Sequence, residues 1–107
     1  MTPLEPLRMS AAEFVAWAGG NVSASIPNDV RITVDRRHPG ESFGVVLKRL
    51  ALELRAGATK VVLLSEDDQA ACVYADDALP RLYRWGEDLT IPDVLPGFST
   101  PVRKLFE

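Results

Sequence analysis

A helix followed by a buried strand pair, over residues 41–73, constrains this chain more than any other stretch. From Phe43, apolar residues recur at Val46, Leu47, Leu50, Ala51 and Leu54, the spacing of one buried helical face. Lys48, Arg49, Glu53 and Arg55 fall between those positions and read as solvent-side charges. Gly57 reads as the left-handed residue that stops the helix. Residues 60–64 are a short β-branched run of the kind buried on both faces of a sheet. A polar, acidic turn over 65–69 returns the chain into a second strand over 70–75. The pattern is a helix laid on a sheet, and the other elements must pack around it.

Upstream, Ser10 and Glu13 have the spacing of a capping box, and Met9 and Phe14 that of a hydrophobic staple. They predict a short helix within 9–20 that stops at Gly19-Gly20. It is too short to stand alone, so it must dock on something. Residues 1–8, with Pro3 and Pro6, read as an extended arm. In 29–35, Val30, Ile32 and Val34 alternate with Arg31, Thr33 and Asp35, which predicts a strand with one buried face. Strand, helix and strand in succession make a βαβ unit with a parallel crossover. Downstream, 81–85 and 89–91 are short strand candidates, 92–98 reads as a turn, and 101–107 as a closing helical turn with Val102, Leu105 and Phe106 inward. The expectation is one domain over 1–107, made of an arm (1–8), a helix (9–20) and an α/β core (29–107). Its class is α/β or α+β, a βα unit followed by a mixed or antiparallel sheet.

Composition narrows the function. A net charge of −3 argues against a surface built mainly for phosphate backbones. Cys72 is the only cysteine, so neither an internal disulfide nor a thiolate metal cluster can form within the chain. No stretch approaches a membrane span, and the first residues lack a signal-peptide layout. The expected location is the cytoplasm.

The second half carries a longer pattern. Lys48 on the helix precedes Ala56-Gly57-Ala58, a strand and an acidic turn; Cys72-Val73-Tyr74 and Gly86-Glu87-Asp88-Leu89 follow. The last match is Asp93-Val94-Leu95-Pro96-Gly97-Phe98-Ser99-Thr100-Pro101-Val102, with Leu105-Phe106 after it. This order resembles the Uma-type restriction endonuclease family, best over 30–107 and more weakly over 9–17. The resemblance implies a restriction-endonuclease-like fold of the PD-(D/E)xK superfamily, in which an acidic pair holds Mg²⁺ and a lysine stands beside the metal-bound water. It also implies that this chain is a shortened member. The segment that supplies the first acid and several strands is missing between Gly20 and Asn28, and the second acid is absent at Thr33 and Val34. Only Lys48 stands at the position of the family lysine.

Lys48 and Asp35 are therefore the catalytic candidates, and Asp35 and Asp29 the alternative metal ligands. A separation of six residues on a strand puts those two acids about 20 Å apart, too far to share one ion. Arg36-Arg37-His38 reads as a polar loop that could grip phosphate, Cys72 as a small core residue, Glu66-Asp67-Asp68 as a solvated hairpin tip, and Trp17, Tyr83 and Trp85 as packing residues. The first expectation is a shortened, catalytically inactive relative without a cofactor. It acts as a small interaction or oligomerisation module, through a homodimer or a protein partner. The alternative is an active Mg²⁺-dependent DNA endonuclease whose acidic site is rebuilt from Asp35 with Asp29 or Glu41. A small regulatory module shares the dimer expectation.

Overall fold

A computed structural model describes residues 6–20, 26–38, 40–76 and 78–106. The main sheet is built from β1 (Leu7–Ser10), β2 (Arg31–Arg36), β3 (Lys60–Ser65), β4 (Ala70–Ala75) and β5 (Ala78–Arg84), adjacent in that order. β2 and β3 run parallel and the other neighbours antiparallel, so the βαβ unit forms as its pattern predicts. The parallel ladder continues past both ends, where Thr59 N–H donates to the Arg31 carbonyl at 2.7 Å and Arg37 N–H to that of Leu64 at 2.9 Å. A separate hairpin of β6 (Asp88–Ile91) and β7 (Leu95–Pro101) leads into a 3₁₀ turn, Val102–Phe106. The class is mixed α+β, as expected. No described helix is long and apolar enough to cross a membrane.

The elements distribute over the sheet unequally. On one face, α1 (Ala11–Ala18), the β6–β7 hairpin and the 3₁₀ turn close a core that includes Phe14, Ile32, Leu64, Leu89, Phe98 and Leu105. On the other face, α2 (Phe43–Arg55) lies alone over a smaller cluster of Val46, Leu50, Val61 and Leu63. The capping box forms: the Glu13 N–H donates to Ser10 Oγ at 3.2 Å and the Ser10 N–H to Glu13 Oε1 at 3.0 Å. α1 ends at Gly19, left-handed at φ 68°, whose N–H donates to the Val15 carbonyl at 3.0 Å. At Gly20 a Cβ would stand 2.5 Å from Phe98 Cε1 and 2.8 Å from the Ser99 carbonyl, so only glycine lets the hairpin approach.

Some expectations need correction. Within the arm expected over 1–8, Leu7 and Arg8 belong to strand β1, and α1 begins at Ala11 rather than Met9. Residues 1–5, and 21–25 of the expected turn, lie outside the described residues. Residues 95–98 are strand, not turn: Leu95, Phe98 and Thr100 point inward while Pro96 and Gly97 face out. β2 is buried on both faces, because Thr33 and Asp35 lie beneath α2. The helix itself is rotated from its expected setting. Val46, Leu50 and Glu53 face the sheet, while Leu47 is 41% exposed.

Candidate functional site

That rotation creates a polar contact line between α2 and β2. Thr33 and Asp35, two apart on a strand, share a face; Arg49 and Glu53, four apart on a helix, share a flank. Near the end of β2, buried Asp35 accepts through Oδ2 from Arg49 Nε at 2.7 Å and through Oδ1 from the Arg36 N–H at 2.8 Å. Glu41, in the loop before α2, receives Arg49 Nη1 on Oε2 and Nη2 on Oε1, the latter at 3.1 Å. The His38 N–H donates to Glu41 Oε1 at 2.8 Å, and Arg49 Nη2 also reaches the Arg36 carbonyl at 3.2 Å. One turn further along α2, Glu53 accepts from Arg8 Nε and Nη2 at 2.9 and 2.8 Å and from Thr33 Oγ1 at 3.3 Å.

These contacts set the electrostatics. The Arg49 guanidinium, with the His38 N–H in support, holds the Glu41 carboxyl down at about 2, and both carboxylates raise Arg49 in turn. Arg8 likewise lowers Glu53. A carboxyl lowered by folding contributes stability above its unfolded pKa, near 4.5, and loses it as pH falls through the folded value. Stability is therefore expected to drop between about pH 4.5 and 2. Glu41→Gln should be less stable at neutral pH and flatter across that window. Urea unfolding at stepped pH reads the difference between the two proteins; parallel curves would refute it.

The sequence-predicted residues are not brought together. Lys48 is exposed, and among the described residues its ammonium has no hydrogen-bond or ion-pair partner. Asp29 is exposed in a bend before β2 starts, whereas Asp35 is buried near its far end. Arg36 and Arg37 reach the acidic β3–β4 turn at Glu66 and Asp68, both at 3.9 Å. Cys72 is half-buried and burial pushes its thiol up, away from nucleophilic use. Trp17 packs at a tilt against Phe14 and Trp85 against Phe106, while the buried Tyr83 donates its hydroxyl to the Thr90 carbonyl at 2.9 Å.

Arg49, Glu53, Arg8 and the Lys60–Asp93 bridge escaped the reading of the sequence. A signal existed for the first two: opposite charges at i and i+4 on α2, matched by polar Thr33 and Asp35 at i and i+2 on β2. The divalent metal that the resemblance implies does not fit the residues as they stand. Both oxygens of Asp35 and of Glu41 are engaged by N–H donors, chiefly Arg49. Among the described residues no three His, Cys, Asp or Glu side chains are grouped to hold an ion.

On the other flank of α2 the sheet is bare. A trough of about 320 Å³ runs between the helix and edge strand β5, lined mainly by Phe43, Leu63, Cys72, Tyr74, Pro80 and Leu82, with Arg37, Ser65 and Asp68 also on its wall. Phe43 and Leu82 are each 52% exposed.

No protein-family model and no curated protein matches this sequence. Among solved structures, it is similar to a candidate nuclease of the DUF820 family from Anabaena variabilis ATCC 29413, at a TM-score of 0.57 and 20% identity. The match covers 77% of this chain and 45% of that one. The chain thus shares the fold of a nuclease-type protein over less than half of that protein's length.

Proposed function

We propose that this chain is a nuclease-fold module that binds rather than cuts: a shortened, catalytically inactive relative of the Uma-type endonucleases that pairs with a second copy of itself. The observation that carries this reading is the half-covered second face of the sheet. α2 covers β2 and β3, and the apolar trough beside it is left to solvent. Apolar patches of this kind on a soluble domain mark contact sites. The same surface offers a hollow between α2 and β5 and projecting side chains at Phe43 and Leu47, as a two-fold interface requires. The engaged carboxylates and the outward Lys48 support the absence of cutting.

Sedimentation velocity at micromolar concentration tests the pairing. The wild-type chain is expected to run as a dimer. Leu82→Glu, which puts a charge in the trough without touching the larger core, should run as a folded monomer. A wild-type monomer would overturn the proposal. The nuclease alternative keeps one supporting observation, the convergence of Asp35 and Glu41 at the start of α2. Plasmid cleavage with Mg²⁺ that is lost in Asp35→Asn would favour it instead.

A further inference from the structure

The face of the sheet that carries the larger core has an opening of its own, on the side away from the trough. Val73 of β4 pairs with Arg81 of β5, and Tyr83 lies two residues further along β5, so the three share that face. Lys60, two residues before the core residue Val62, shares it too. The register that sets Val61 opposite Tyr74 brings Ala75 beside Lys60, and so small a side chain leaves a hollow there. Ile91 and Pro92 close its other side from the hairpin. The cavity measures about 270 Å³, and its walls are chiefly apolar: Val73, Ala75, Leu79, Ile91 and Pro92.

Two cations line this hollow. Lys60 is only 5% exposed, and of the three N–H groups of its ammonium one is taken by Asp93, its sole acceptor among the described residues. The Arg81 guanidinium lies 6.0 Å from the centre of the Tyr83 ring, and among the described residues it has no carboxylate partner. Lys60 holds the Asp93 carboxyl below its usual range, so that side chain is an anion. Two positive charges therefore stand against one negative, with the Thr90 side chain beside them. A buried ammonium with open donors gains from a further acceptor, and a planar guanidinium matches the two oxygens of a carboxylate. The apolar walls suit a carbon body rather than a hydrated inorganic anion. The volume, at the lower end of ligand pockets, limits that body to a small molecule.

We propose that this hollow binds a small monocarboxylic acid, its carboxylate on Arg81 and Lys60 and its apolar body against Leu79, Ile91 and Pro92. The site goes beyond the pairing proposed above and lies on the opposite face of the sheet, so it holds whether or not the trough takes a second copy.

Benzoate titrated into the full chain, with backbone amides followed by nuclear magnetic resonance, tests this. Saturable shifts centred on Val73, Arg81, Thr90 and Asp93 are expected. Arg81→Met, at an exposed position, should keep the native spectrum and bind benzoate at least about tenfold more weakly, the worth of one charge-assisted contact. Benzamide, of the same shape without the charge, and inorganic phosphate, with charge but no apolar body, should both bind more weakly than benzoate. An acetylated tripeptide ending in leucine carries the same carboxylate on a larger body and should also bind more weakly. Absence of saturable shifts at these residues overturns the inference, as does benzoate binding that is unchanged in Arg81→Met. Equal or tighter binding of benzamide, phosphate or the tripeptide overturns it as well. If Arg81→Met loses the native spectrum, Arg81→Lys, which keeps the charge and loses the fork, takes its place with the same two outcomes.

Discussion

Phe14→Ala is expected to cost about 3–5 kcal/mol, enough to leave a domain of this size largely unfolded on mild warming. Phe14 is fully buried, and its ring lies 5.5 Å from that of Phe98 and 6.1 Å from that of Trp17. Its removal opens a cavity where α1 meets the β6–β7 hairpin. The surroundings cannot collapse to fill it, because Gly20 already brings the backbone against Phe98. α1 has eight residues and no stability of its own, so its place depends on this contact. At about 4–8 °C per kcal/mol, the melting temperature should fall by more than about 12 °C. Trp17→Ala, on the same helix but 37% exposed, is the control and should cost distinctly less. Equal losses in the two variants would place the stabilising contact elsewhere.

Arg49→Met should destabilise the chain comparably, by about 3–5 kcal/mol, for a different reason. The Asp35 side chain is only 2% exposed, and without Arg49 it becomes a buried anion with a single backbone donor. The penalty lies in the stranded charge more than in the lost attraction. Asp35→Asn added to Arg49→Met should therefore restore much of the stability, since a neutral amide tolerates the site better. Urea unfolding of the single and double variants yields the coupling directly. If the double variant were as unstable as the sum of the singles, Arg49 would be acting through Glu41 and the Arg36 carbonyl alone.

The sequence was most readable where one periodicity governed both local structure and burial. The apolar run of β3, the return through β4 and the helix between β2 and β3 all follow this rule. β7 escaped because Pro96-Gly97 imitates a turn; in a two-stranded hairpin a proline can sit on a strand whose N–H is not needed. α2 was set wrongly on the sheet because Leu47 looked like core and Glu53 like surface. The apolar residues of its true inner face are few, and a charged residue is buried among them with partners from distant β1 and β2. Lys48 was singled out by the resemblance alone, whereas the contacts to Asp35 and Glu41 are made by its neighbour Arg49. Neighbours on a helix point about 100° apart, so a slip of one residue turns a side chain from the cluster to solvent. Pairings between residues far apart in the chain, such as Arg8 with Glu53 or Lys60 with Asp93, have no local signature at all.

The larger core is closed by elements from opposite ends of the described chain. Thr100 Oγ1 donates to the Ala18 carbonyl at 3.0 Å across 82 residues, and Leu95, Phe98, Val102 and Leu105 fill the space that α1 leaves. A growing polypeptide could pair β2 with β3 and set α2 on them early. The opposite face, with Ile32, Val34, Val62, Leu64 and Val73, would have only α1 to cover it until the β6–β7 hairpin and the 3₁₀ turn arrived. At roughly 5–20 residues per second, that interval lasts seconds on the ribosome, during which an apolar sheet surface is open to other nascent chains. For this protein, yield in the cell should depend on what shields that surface before the last hairpin is made.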